Sequence, residues 1–153
     1  MNSDRLQLLE WITEMSLRNP ELRLGQLLAT SLACFPVSKN PDLRVYRATD
    51  RELIQSLQLW HNHDPRDEKD TLLLNATREA LLREISLYSE LQPDWTVGRI
   101  LSNFSAWAGK NNPWFLINTD DEQMLSGARM PPKTEVRPNP IRWPEYSIES
   151  DIR

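Results

Sequence analysis

The chain contains a single cysteine, Cys34. A disulfide framework within one chain is therefore impossible. A cysteine-based zinc site needs more thiolates than this and is excluded too. Cys34 stands in the apolar run Leu32-Ala33-Cys34-Phe35 and reads as a small buried hydrophobe. Glycine is also scarce. Only Gly25, Gly98, Gly109 and Gly127 occur, and the first two fall inside predicted helices. A glycine-rich phosphate loop has no place to be, and there is no dinucleotide fingerprint or nucleophile elbow. No apolar stretch approaches the roughly 18 residues of a transmembrane helix. The first residues, Met1-Asn2-Ser3-Asp4-Arg5, lead straight into an amphipathic pattern without the basic and apolar segments of a signal peptide. A cytoplasmic protein is expected. The chain also lacks basic excess. Its formal net charge is −4, which argues against a dedicated nucleic-acid binder.

What is present begins with size. A chain of 153 residues suits one domain. Such a domain buries roughly 70% of its unfolded surface, enough for a core without covalent staples.

The most informative feature is an internal repeat. Shifting the chain by 73 positions lays Asn19-Pro20-Glu21-Leu22-Arg23-Leu24-Gly25-Gln26-Leu27-Leu28 on Gln92-Pro93-Asp94-Trp95-Thr96-Val97-Gly98-Arg99-Ile100-Leu101. The register runs back through Ser16 on Ser89, Ile12 on Ile85, Leu9 on Leu82, Leu8 on Leu81 and Arg5 on Arg78. It runs forward to Ala33 on Ala106. Proline and glycine carry backbone meaning, and the apolar positions coincide in phase. Further on the copies drift by a few residues but keep their order. Asn40-Pro41 precedes Leu43-Arg44-Val45-Tyr46, and Asn112-Pro113 precedes Trp114-Phe115-Leu116-Ile117.

The patterning predicts a mainly α fold. Each copy reads helix, turn, helix, loop, short extended segment and a third helix. The first helices are expected over about 3–18 and 75–91, with the stripe Leu6, Leu8, Leu9, Ile12 and Met15 in the first copy. Ser3 or Asp4 is the expected cap. The second helices are expected to start at Pro20 and Pro93, since proline suits the first helical position. Asn19 and Asp94 are their expected caps. Extended segments over about 43–48 and 114–118 are too brief to stand alone and would pair with each other. Asp50 and Thr119 or Asp120 would cap the third helices, and Gly127 would end the one in the second copy. Gly25 and Gly98 cost helix stability relative to alanine. Their recurrence predicts close packing of the two second helices across a pseudo-two-fold axis. The copies, over about 3–60 and 75–127, would form one globular domain of residues 1–129. Residues 130–153 would be an extended proline-rich tail carrying Ile141, Trp143, Tyr146 and Ile148.

The run Leu22-Arg23-Leu24-Gly25-Gln26-Leu27-Leu28, and Trp114-Phe115-Leu116-Ile117-Asn118-Thr119-Asp120-Asp121-Glu122, together resemble a pattern of small bacterial and phage proteins. These look like one copy of the unit: a Leu-Arg-(Phe or Leu)-Gly-Gln-Leu run, an aromatic segment and an acidic helix start. Here each copy departs from it, with Arg99 at the place of Gln26 and Arg51 interrupting the acidic run. The resemblance covers about half the chain and implies no particular activity.

Candidate chemistry is sparse. His61 and His63, with Asp64 or Asp67, have metal-ligand side chains, but a polar helix end accounts for them, where histidine suits the negative dipole end. Asp120-Asp121-Glu122 reads as a helix cap rather than an acid–base pair. The six tryptophans are many for this length. Most fill a core, but Trp11 falls at the edge of its stripe. Trp143 and Tyr146 sit in the proline-rich tail. Exposed aromatics of this kind anchor interfaces. The expectation is a non-enzymatic protein that binds another protein, such as a regulator, adaptor or immunity-type inhibitor. No metal or cofactor is expected, and a second copy of the chain is one partner left open. Two alternatives are a nucleic-acid-associated factor using Arg18, Arg23, Arg44 and Arg47, and a metal-dependent enzyme centred on His61 and His63.

Overall fold

A computed structural model describes residues 2–33, 41–63, 73–109 and 116–130, with backbone alone for 41–43. Within them lie seven helices: α1 (Ser3–Arg18), α2 (Leu24–Leu32), α3 (Pro41–Arg47), α4 (Asp50–His63), α5 (Ala76–Leu91), α6 (Val97–Trp107) and α7 (Asp121–Arg129). The described residues contain no strand. Residues 131–153 of the expected tail, including Trp143 and Tyr146, lie outside the described residues, as do Cys34 and Trp114.

The first helices form where their stripes predict, and asparagine starts both. The side chains of Asn2 and Asn75 accept hydrogen bonds from Arg5 N and Arg78 N, each 2.8 Å. Asn2 caps α1, not Ser3 or Asp4. Leu8, Ile12 and Met15 are fully buried, and Leu81 and Ile85 occupy the matching places in α5. Leu6 does not join the stripe and is 52% exposed.

The second helices start later than proline suggested. Pro20 and Pro93 are exposed and lie in the turns before α2 and α6. Asn19 terminates α1 instead of starting α2; its Nδ2 and its backbone N–H both donate to Met15 O, each 3.0 Å. Thr96, not Asp94, caps α6, its Oγ1 accepting from Arg99 N at 3.0 Å. Proline's fixed φ suits a turn as well as a first helical turn, so the residue type alone could not choose.

Of the segment expected to be extended over 43–48, residues 43–47 are helical, as part of α3. Its apolar content reflects burial of Val45 inside the helix and of Ala48 just past its end, and a short core-facing helix needs such residues as much as a strand does. In the second copy residues 116–118 form a turn. The third helices are α4 and α7. Thr49, not Asp50, caps α4: Glu52 N donates to Thr49 Oγ1 at 3.2 Å while Thr49 N donates to Glu52 Oε1 at 3.1 Å. Asp120 caps α7 in the same reciprocal way with Gln123. Gly127 does not end α7. It lies inside the helix, buried against α6, where an added Cβ would meet the carbonyl oxygen of Phe104.

In each unit the first and third helices pack together, α1 on α4 and α5 on α7. The second helix packs on the third, α2 on α4 and α6 on α7. The Ser31 and Ser56 hydroxyls meet at 3.0 Å in the α2–α4 contact, and each also bonds a carbonyl of its own helix. Their buried polarity is thereby satisfied. Buried apolar residues of both units join in one cluster, from Leu8 and Ile12 to Phe104 and Met124.

Candidate functional site

The two units are locked by a reciprocal set of polar contacts, built around one buried arginine from each. Arg5 is 4% exposed and Arg78 3%. Each projects from the first turn of its helix, on the stripe that also carries Leu8 or Leu81. Arg5 Nε donates to Asp50 Oδ2 of its own unit at 2.9 Å. Its two terminal nitrogens cross to the other unit, to Ser89 Oγ at 2.7 Å and Trp95 O at 2.6 Å. Arg78 repeats this with every partner exchanged. Its Nε pairs with Asp121 Oδ2, and its terminal nitrogens reach Ser16 Oγ at 2.8 Å and Leu22 O. Guanidinium suits the position because its planar fork presents several donors in fixed directions.

Two further contacts obey the same exchange. The side chain at the start of each second helix reaches a carbonyl of the other unit: Arg23 Nε to Ile117 O at 3.3 Å, and Thr96 Oγ1 to Tyr46 O at 2.8 Å. The glycine two positions later packs on the neighbouring carbonyl. A Cβ on Gly25 would meet Leu116 O, and one on Gly98 would meet Val45 O. The expectation that these glycines admit a close backbone is met, but their neighbour is different. Each lies against the turn or helix that precedes the other unit's third helix, not against the other glycine's helix. The contact of α3 with α6 follows from this.

The exchange is imperfect at one oxygen. Asp121 Oδ1 accepts from Leu24 N at 3.1 Å, so unit two caps α2 of unit one. Asp50 Oδ1 is buried and has no partner.

Over each arginine opens a cleft. The larger, about 530 Å³, is lined by Pro20, Asn75, Arg78 and the acidic Glu21, Asp120 and Glu122. The smaller, about 330 Å³, is lined by the corresponding Pro93, Asn2 and Arg5, with Ser89 and Glu90. Both proline turns thus form walls of clefts. Arg78 and Asp121 are engaged with each other at the larger one, so their charges are spent on the fold.

The other candidates fall elsewhere. Trp11 is half-buried against the core, and its ring meets that of His61 edge-on at 5.3 Å between centroids. Unit two has no such pair, because Glu84 stands at the place of Trp11. His63 lies at the exposed end of α4, its Nδ1 2.9 Å from Leu59 O. Among the described residues no three histidine, cysteine or acidic side chains gather as a metal site. Of the basic candidates, Arg18 bonds Glu14 at 3.2 Å, Arg44 pairs with Glu52 at 3.6 Å, and Arg23 spans the units. In unit two Tyr88, Phe104 and Trp107 form an aromatic cluster with centroids 5.1 to 6.1 Å apart. Burial, followed by the nearby charge of Glu84, raises the Tyr88 phenol above its ordinary value.

The described residues thus define an all-α protein of seven helices, none of them long and apolar enough to cross a membrane. No family model matches the chain, and no curated protein or solved structure matches it.

Proposed function

We propose that this protein acts by binding another protein, as an adaptor, regulator or immunity-type inhibitor, and carries out no chemistry of its own. The observation that supports this reading is the Trp11–His61 pair at the α1–α4 edge. Trp11 packs against the core on one side and is held edge-on by His61 on the other, so little rotamer freedom is left to lose on binding. A fixed, half-exposed tryptophan is a preferred anchor of protein interfaces. It belongs to one unit alone, so it serves something other than the shared fold. The buried Arg5 and Arg78, with Asp121, are engaged in joining the units, which leaves the unshared surface to carry specificity.

The test is affinity capture from the native cell with the full chain and with Trp11→Ala, identifying captured proteins by mass spectrometry. One partner enriched by the native chain and lost with Trp11→Ala supports the proposal, provided the variant keeps its helical content. Equal capture by both chains, or no enriched protein, overturns the role of this surface.

A further inference from the structure

We infer that the larger cleft, the one over Arg78, is a docking site for an arginine side chain of a partner protein. This goes beyond the Trp11 reading, because neither Trp11 nor His61 lines the cleft.

The two units differ in charge at matching places. Asp50 and Asp121 hold the matching arginines, so the residues that follow them, Arg51 and Glu122, correspond. Asn2 and Asn75 cap the first helices, so Asp4 and Thr77, two residues on, correspond as well. In unit one the Arg51 Nη1 lies 3.8 Å from Asp4 Oδ1. A guanidinium thus bridges the start of α4 to the start of α1, and neither residue lines the smaller cleft. In unit two Glu122 stands at the place of Arg51 and Thr77 at the place of Asp4, and both line the larger cleft. Unit two therefore leaves open, between the equivalent helix starts, the gap that a guanidinium spans in unit one.

The walls suit that group. Glu21, Asp120 and Glu122 line the cleft and are exposed. Asp120 spends one oxygen on Gln123 N, and among the described residues none of the three is in an ion pair. Arg23 also lines the cleft, but its Nε donates to Ile117 O. The dipole of α7 favours Asp120 and Glu122 at its own start. Glu21 has no such reason, since it belongs to the turn before α2. Carboxylates from two separate elements match the several fixed directions in which a guanidinium donates. Pro20 and Leu22 supply apolar wall for its methylene stem. At about 530 Å³ the cleft has room for one such side chain.

The test uses the full chain and a blocked tripeptide, acetyl-Ala-Arg-Ala-amide, with the citrulline peptide as its neutral isostere. Binding is read from backbone amide shifts by NMR. Saturable shifts are expected at residues 20–22, 75–78 and 120–122. The citrulline peptide should bind at least about tenfold more weakly. Glu122→Arg supplies within unit two the cation that unit one already has, so it should abolish the shifts. Glu21→Gln, off α7, should weaken them, and both variants should keep native helicity by circular dichroism. Trp11→Ala should leave the shifts unchanged, which separates a failure here from a failure of the Trp11 surface. No shifts, equal shifts with citrulline, or full binding by Glu122→Arg would overturn the inference. Shifts spread over other acidic residues such as Glu10, Glu84 and Glu90 would overturn it too.

Discussion

Replacing Arg78 by alanine is the sharpest perturbation of the lock between units. The side chain is 3% exposed and donates to Asp121, Ser16 and Leu22 O. After truncation the Asp121 carboxylate, 14% exposed, keeps its bond from Leu24 N but has lost its cation. Leaving one member of a buried ion pair without the other costs about 3–5 kcal/mol. At about 3 °C per kcal/mol for a chain of this size, the thermal midpoint should fall by about 9–15 °C. Arg78→Lys keeps the charge but lacks the planar fork, so it should recover the Asp121 pairing and lose at least one crossing bond. Its loss should be about half as large. Urea unfolding followed by circular dichroism gives both values, and Arg5→Ala provides the control, since its partners are the exchanged set. A loss below about 1 kcal/mol for Arg78→Ala, with the unfolding slope unchanged, would refute the reasoning.

Other outcomes follow from the same geometry. Gly25→Leu and Gly98→Leu each place side-chain atoms on a backbone carbonyl of the other unit, so both should destabilise by at least about 2 kcal/mol; unchanged thermal midpoints would remove the close approach from the account. Asp121→Asn should cost more than Asp50→Asn, because Asp121 also caps α2 while Asp50 Oδ1 has no partner; equal losses in urea would show that the cap contributes nothing. The fold favours the neutral phenol of Tyr88, so its stabilising effect is complete below the ordinary pKa of 10.0 and is lost as pH rises through the raised value. Absorbance titration of the native chain against Tyr88→Phe should place this tyrosine's midpoint above 10.0, and a midpoint at or below it would contradict the burial.

The helical repeat was legible because proline, glycine and apolar phase recur together at a fixed shift. The lock was less so. Arg5 and Arg78 match in that register, and so do Ser16 and Ser89, but an arginine in a first turn ordinarily faces water. The available signal was position: Arg5 stands three residues before Leu8 and seven before Ile12, on the buried stripe itself. The glycines signalled a close approach without naming the neighbour, because a missing Cβ records the space and not what fills it. Pro20 and Pro93 misled about helix starts, since their fixed φ fits the turn in which they lie. Val45 and its neighbours suggested a strand because a run this short has no period to tell the two apart. The candidate binding edge was half legible: Trp11 stood out at the margin of its stripe, while its contact with His61 depends on how α4 lies on α1.

The central claim is that each unit holds the other through exchanged contacts. Hydrogen exchange read by mass spectrometry on Arg78→Ala tests it most directly. Arg78 belongs to unit two, yet two of its three partners, Ser16 and Leu22 O, belong to unit one. Protection should therefore fall at the end of α1 and the start of α2 as much as in α5 and α7. A loss confined to α5 and α7, with α1 and α2 protected as in the native chain, would contradict the account.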